Sequence, residues 1–259
     1  MRVGFFQYEP MHLKPQDTRE YLESQLLEAD TDILVLPELA LSGYRYASRE
    51  ELHGYAEPAE GATCRWFQDL SRKTGTLYVY GYPERSSSRV YNSAAAVDSQ
   101  GLLSNYRKLH LYNTEKLVFT PGNRKLIPCT WKGVKLGLLV CFDHLFPEAA
   151  RSLALQGAQV ICHPSNLVIR EYAQLTSRVR AIENRVFWIL ANRIGAEGTI
   201  TFTGRSQLVD ETGTVLASAG NDQTSLQTAD IDPQKAVSKA ISQENDLFGD
   251  RVPRFYSKG

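Results

Sequence analysis

Cys141 closes a short apolar run, Leu136, Leu138, Leu139 and Val140, within KLGLLVCFDHLFPEAAR, the stretch Lys135–Arg151. The run reads as a buried strand. The residues after Cys141 read as a helix start, with Asp143 as an N-cap, Pro147 in a first turn and Glu148 near the positive end of the helix dipole. At the carboxyl end of a strand in an open α/β sheet, a thiol faces the crevice where ligands bind. Backbone N–H groups of the next turn can lower its pKa and later hold an oxyanion. Cys141 is therefore a candidate nucleophile. The alternative is a small buried hydrophobe, which is what most free cysteines are. Glu38 has a comparable address, because Ile33–Leu36 is an apolar run that meets Pro37 and then Glu38. It reads either as a functional acid at a strand end or as an ordinary acid at a helix N-terminus.

Other chemistries find less in the chain. A zinc site would have to group Cys141-x-x-His144 with Cys162-His163, but adjacent strand residues point to opposite faces. A Cys–His dyad through His110, His144 or His163 lacks a papain- or caspase-like local signature. There is no G-x-S-x-G, no G-x-x-x-x-G-K-[ST] and no G-x-G-x-x-G.

The elements that must position these residues are read from periodicity and punctuation. Strands are expected at Arg2–Gln7, Ile33–Leu36, Leu77–Gly81, Val90–Val97, Leu102–Tyr106, Ala158–His163 and Val186–Ala191. Helices are expected at Thr18–Ala29, Thr63–Thr74, Pro147–Gln156 and Ala173–Val186, the third ending at Gly157. Thr203–Asp210, Thr214–Ser218 and Ser225–Asp230 read as a final meander. The residues around Tyr44, Tyr46 and Tyr55 read as a loop, and Tyr106–Asn123 as a long ordered functional loop ending at Pro121-Gly122. On helix Ala173–Val186, Arg180 and Glu183 are spaced to pair. Asn184 and Asn192 are placed to satisfy buried backbone groups. The charged, aromatic tail from Lys235 to Gly259 is expected to cross the body or meet a second subunit. The layout is strand–helix–strand twice, each half ending in hairpins, which predicts one α/β domain over 1–259 with two sheets and helices outside.

Bulk properties agree with an enzyme-sized globular domain. The 259 residues are 42% hydrophobic, and 29 Lys+Arg balance 29 Asp+Glu, so no basic excess points to nucleic acid. No apolar run approaches the ~18 residues of a membrane span. MRVGFFQ enters a strand with no signal-peptide pattern. The scattered Cys64, Cys129, Cys141 and Cys162 suggest free thiols in a reducing, cytoplasmic setting.

Five blocks in order carry a resemblance that runs nearly end to end: VLPELALSGY around Glu38, YRKLHL around Lys108, CFDHLFPEAAR around Cys141, RAIENRVFWILANRIG from Arg180, and GRSQLVDETGTVLA from Gly204. The chain resembles the nitrilase superfamily of carbon–nitrogen hydrolases. The resemblance implies a four-layer αββα sandwich that pairs into a homodimer or higher homo-oligomer, with no cofactor and no metal. It implies a triad of Glu38 as general base, Lys108 as oxyanion stabiliser and Cys141 as nucleophile, with Glu115 as the further glutamate many members carry after the lysine. The Lys108 ammonium would stabilise the Cys141 thiolate, and would share the oxyanion with the Phe142 backbone N–H. Tyr44, Tyr112, His144 and Asn166 are the candidate substrate-binding walls, and Asp143 is placed to cap the turn that presents Cys141.

The implied activity is hydrolysis of a non-peptide C–N bond in a small amide through a thioester, on an aliphatic or ω-amide substrate. N-carbamoyl or nitrile hydrolysis is the alternative. Phe142-Asp143, where nitrilases usually carry Trp-Glu, leans towards amides. A catalytically idle scaffold binding a partner protein is the reading from outside enzymology, and joint retention of Glu38, Lys108, Glu115 and Cys141 argues against it.

Overall fold

The computed structural model describes residues 1–256. The chain opens with β1 (Arg2–Gln7), α1 (Pro15–Glu28), β2 (Ile33–Val35), α2 (Arg49–Tyr55), α3 (Ala62–Thr74), β3 (Leu77–Ser86), β4 (Arg89–Asp98) and β5 (Gly101–Arg107). It continues through α4 (Glu115–Val118), β6 (Cys129–Trp131), β7 (Val134–Leu138), a 3-10 turn over Cys141–Leu145, α5 (Pro147–Leu155), β8 (Val160–Pro164), α6 (Tyr172–Asn184) and β9 (Phe187–Ala191). The short strands β10 (Ala196–Glu197), β11 (Ile200–Thr201), β12 (Gln207–Val209) and β13 (Val215–Ser218) precede β14 (Ser225–Asp230).

Two six-stranded sheets form, ordered β14-β1-β2-β3-β4-β5 and β13-β12-β9-β8-β7-β6. In each, the three strands connected by helical crossovers are parallel, β1-β2-β3 and β7-β8-β9, and the flanking strands are antiparallel. Alternation along the strands sorts side chains into layers. Val3, Phe5, Ile33, Val35, Leu77 and Val79 face inward and share one core with Leu136, Val160 and Ile189 of the second sheet. Phe6, Leu34, Tyr78 and Tyr80 face outward onto Leu22 and Leu26 of α1 and Phe67 and Leu70 of α3. Ala149, Ala150 and Leu153 of α5, with Ala173 and Ala181 of α6, cover the second sheet. This is the four-layer αββα sandwich. Because both faces of the parallel strands are covered, they read as continuous apolar runs rather than alternating ones.

Several expectations change. The tyrosine-rich loop contains α2, whose N-cap Ser48 accepts the Glu51 N–H at 3.2 Å and which ends on Tyr55. The long loop after β5 contains one helical turn, α4. Asp143 is not the N-cap of α5; Phe146 holds that position, with Pro147 at N1. The last three strands do not form one meander. β12 and β13 pair in the second sheet, whereas β14 crosses to lie antiparallel to β1 in the first. The expected strand Thr203–Asp210 shrinks to β12 because Thr203, Gly204 and Arg205 donate their N–H groups to the carbonyls of Leu167, Arg193 and Gly220 instead. Arg180 and Glu183 do pair, at 3.1 Å. The Asn184 amide caps the Arg180 carbonyl, and the Asn192 amide bridges Leu167 and Gly204. The tail crosses the body: Lys239 Nζ donates to the carbonyls of Asn184 and Arg185, both at 2.9 Å, at the end of α6. The tail's last three residues, 257–259, lie outside the described residues.

Candidate active site

Cys141 stands just past β7, at the carboxyl edge of the parallel strands, with φ of +44°. A left-handed backbone at a non-glycine residue costs about 1–3 kcal/mol and persists only when its surroundings impose it. Asp143 imposes much of it. Its fully buried carboxylate accepts the Val140 N–H at 2.9 Å, the Tyr106 hydroxyl at 2.8 Å and His110 Nδ1 at 2.7 Å. Asp143 thus caps the turn that presents the thiol and ties it to β5.

Glu38 reaches the same place from the end of β2. Its backbone packs on Gly81 of β3, where a Cβ would sit 2.5 Å from Glu38 Cα, so only glycine fits. Lys108 comes directly after β5. Its N–H donates to the Asn92 carbonyl and its own carbonyl accepts the Gly122 N–H, both at 2.8 Å, which closes the 108–122 loop on itself. Glu115 begins α4, on that loop. The three side chains form one buried chain. Lys108 Nζ donates to Glu38 Oε1 at 2.7 Å and to Glu115 Oε1 at 2.8 Å. Asn92 Nδ2 donates to Glu38 Oε1 at 2.7 Å, and Glu115 Oε2 accepts the Tyr112 N–H at 3.0 Å. Glu38 Oε2 has no hydrogen-bond partner among the described residues. One N–H of the Lys108 ammonium remains beyond its two carboxylate bonds.

The electrostatics correct one expectation. Burial pushes the Cys141 thiol well above its ordinary value, and the Glu38 and Glu115 charges push it further; Lys108 opposes them without prevailing. The thiol therefore rests protonated, not as a thiolate favoured by Lys108. Burial also raises Glu38, with Glu115 adding and Lys108 opposing. Lys108 is pulled down by burial, but Glu115 and Glu38 outweigh this and keep its ammonium charged. Two carboxylates and one ammonium already leave a buried surplus of negative charge. Losing the thiol proton to bulk would double that surplus, whereas passing it to Glu38 leaves the total unchanged.

Cys141, Tyr112, Phe142, His144 and Asn166 line one cavity with the apolar Leu145, Leu167, Val168, Ile169 and Tyr172. The cavity is small, about 30 Å³, where one water needs about 10–15 Å³. Asn166 is buried, its backbone N–H faces the Cys141 sulfur, and neither Oδ1 nor Nδ2 has a partner among the described residues. His144 bonds Thr176 Oγ1 of α6 through Nδ1 at 2.6 Å, and burial lowers it to about 4, so it is neutral. Tyr44 differs from the other three candidate walls. It lies with Glu115 along a separate groove, where burial, Glu115, Glu38 and Cys141 all raise its phenol.

Two residues that sequence reasoning missed hold Tyr44 there. The Glu197 carboxylate accepts the Tyr44 N–H at 3.0 Å and the Arg45 N–H at 2.7 Å, and is itself paired with fully buried Arg193. Neither residue has a local signal for this role: the two stand four apart, and it is the Glu197 contact with Tyr44 and Arg45 that joins a loop after β2 to a strand more than a hundred residues later. Asn92, the second donor to Glu38, was missed for the same reason. The three histidines weighed as dyad or zinc partners are engaged elsewhere. His110 bonds Asp143, His144 bonds Thr176, and His163 bonds the Cys141 backbone carbonyl.

A sequence model described as carbon-nitrogen hydrolase matches residues 9–240. The chain is 36% identical over 260 residues to a nitrilase of Pyrococcus abyssi, covering 99% of each. It is 36% identical over 215 residues to an (R)-stereoselective amidase of a Pseudomonas species, covering 81% of this chain and 77% of that one. Among solved structures it is similar to a glutamate-to-glutamine mutant of the amidase from Nesterenkonia sp. AN1, which shows the result of Michael addition of acrylamide at the active-site cysteine. That match has a TM-score of 0.82 and 26% identity, and it covers 98% of this chain and 97% of that chain.

Proposed function

The chain belongs to the carbon-nitrogen hydrolase family, and from that premise we propose that it cleaves short, uncharged amides, with Cys141 as the nucleophile. It is an enzyme that hydrolyses C–N bonds through a cysteine. The observation that carries the assignment of roles is the buried Glu38–Lys108–Glu115 chain beside Cys141, with Glu38 Oε2 left unpartnered. Glu38 takes the Sγ proton as sulfur attacks the amide carbon. The oxyanion is held by the remaining Lys108 N–H and by the Phe142 N–H. Collapse breaks the C–N bond, the protonated Glu38 gives its proton to the leaving nitrogen, and ammonia departs. Glu38 then deprotonates a water that attacks the thioester, the C–S bond breaks, the carboxylic acid leaves, and Glu38 returns its proton to the Cys141 sulfur. Glu115 holds Lys108 in place.

The cavity carries the choice of substrate. None of the described residues lining it bears a charge, so it offers no cation for the carboxylate of an ω-amide acid and no anion for an amine. Its walls suit a short aliphatic acyl group, with the unpaired Asn166 amide as the polar contact. The test offers butyramide, butyronitrile, N-carbamoylpropylamine and succinamate to the enzyme, with Cys141→Ala as control. The highest kcat/KM is expected for butyramide and at least tenfold less for succinamate. A nitrile or carbamoyl compound turned over faster than its matched amide would replace this reading.

The chain works as one domain over 1–259. Its four cysteines are all free, which suits the reducing cytoplasm. None of the described helices is long and apolar enough to cross a membrane. A homodimer is built on α5 and α6.

A further inference from the structure

His163 lies at the end of β8, fully buried, between the catalytic turn and the core. Its Nε2 donates to the Cys141 carbonyl at 2.8 Å, and its Nδ1 accepts the Trp188 indole N–H at 3.2 Å. An indole nitrogen only donates, so Nδ1 must be unprotonated and the hydrogen must sit on Nε2. Trp188 thereby sets the tautomer that the Cys141 carbonyl requires. Ser165 Oγ, at 3.3 Å from Nε2, is the other polar side chain on the ring.

The bonded carbonyl belongs to the peptide unit that joins Cys141 to Phe142. That unit is planar and trans, so its C=O and N–H point in opposite directions. Fixing the carbonyl towards His163 fixes the Phe142 N–H on the far side. Among the described residues nothing accepts that N–H. The left-handed φ at Cys141 makes this peptide plane one that would relax if nothing held it.

We infer that His163, oriented by Trp188, is a positioning residue that locks the Cys141–Phe142 peptide so that the Phe142 N–H serves as an oxyanion donor. The inference deepens the reading of Cys141 as nucleophile and rests on it. His163 neither touches substrate nor moves a proton; it keeps a backbone donor aimed at a charge that exists only in the tetrahedral intermediates.

Two variants separate this from a general structural role. His163→Leu removes the donor, and His163→Gln keeps a side-chain N–H for the carbonyl and an oxygen for the indole. For each, kcat and KM are measured on the best amide, together with the rate of Cys141 alkylation by iodoacetamide, which forms no oxyanion. His163→Leu is expected to lose at least tenfold in kcat, in line with the ~10²–10³-fold cost of deleting an oxyanion donor outright, with KM and alkylation within about threefold of the parent. His163→Gln is expected to recover most of the loss. The inference is overturned if His163→Leu keeps kcat within threefold, if alkylation falls in parallel with kcat, or if His163→Gln is no better than His163→Leu. Cys141→Ala is run alongside: activity surviving there refutes the underlying reading of the nucleophile, whereas the His163 outcomes bear only on the lock.

Discussion

At the scale of single residues, the site turns on where one proton goes. Cys141 is held protonated by burial and by neighbouring negative charge, so a rate depends on a base within the cluster. Glu38→Gln keeps the shape and the Asn92 contact but removes that base, and kcat is expected to fall by ~10²–10⁴-fold. Iodoacetamide labelling of Cys141 should slow in the same variant. Burial raises Glu38 above the ordinary carboxylate value, and in the proposed role of base Glu38 has to be ionised. Activity should therefore fall as pH drops through a value above ~4.3, and a kcat/KM profile with its acid limb below that value would contradict the role. The residues proposed to react stood out in the sequence because Glu38, Lys108 and Cys141 each follow a strand and sit in a block whose order is informative. Their charge state did not. Lys108 beside Cys141 suggests a thiolate until burial and two carboxylates are weighed against a single ammonium.

Elements explain why some positioning groups escaped the sequence. α2 and α4 are short, and their caps and turns are visible only when a neighbouring segment completes them. Glu197, paired with Arg193 four residues before it, ties its segment to a loop far away in sequence, and that link gives no local pattern. The pair can still be tested through the loop it holds. Glu197 receives two backbone N–H groups from Tyr44 and Arg45, and a Cβ at Gly43 would strike its carboxylate. Glu197→Gln keeps the size, but it leaves Arg193 buried without a counter-charge, which typically costs about 3–5 kcal/mol. The expected outcome is a lower melting temperature and a raised KM as Tyr44 loosens, with Glu197→Asp intermediate. A variant with unchanged melting temperature and KM would show that the pair does not hold the loop.

At the scale of the whole molecule, stability depends on histidines packed around the same turn. His163 is lowered to about 3 and His144 to about 4, both first by burial, against about 6.5 in an unfolded chain. Between those values the unfolded state binds the extra protons, so stability falls as pH drops below about 6.5, by up to about 1.4 kcal/mol per pH unit for each histidine. Melting curves from pH 7 to 5 should show this slope, and His163→Gln should flatten it. The proposed pairing places the outer face of α6 at its interface. Tyr172, Leu175, Val179 and Ile182 succeed one another at spacings of three and four, and are 54%, 62%, 40% and 49% exposed. That spacing places them in one stripe. The other face of the helix packs on the core through Ala173 and Ala181, so the stripe is not needed for folding. A contiguous apolar face on a helix marks an interaction surface, and a stable interface buries about 800 Å² per partner. The helix is also wired to the site: Tyr172 lines the cavity, and Thr176 bonds His144, which shares that cavity with the thiol. Pairing two copies through α6 would hold that wall still. Sedimentation is expected to give twice 29.1 kDa for the parent. Leu175→Glu combined with Ile182→Glu should shift it to the single-chain mass and lower kcat/KM, because buried like charges facing one another oppose association. A fully active parent at 29.1 kDa would end the proposal, as would a double variant that still sediments at twice that mass.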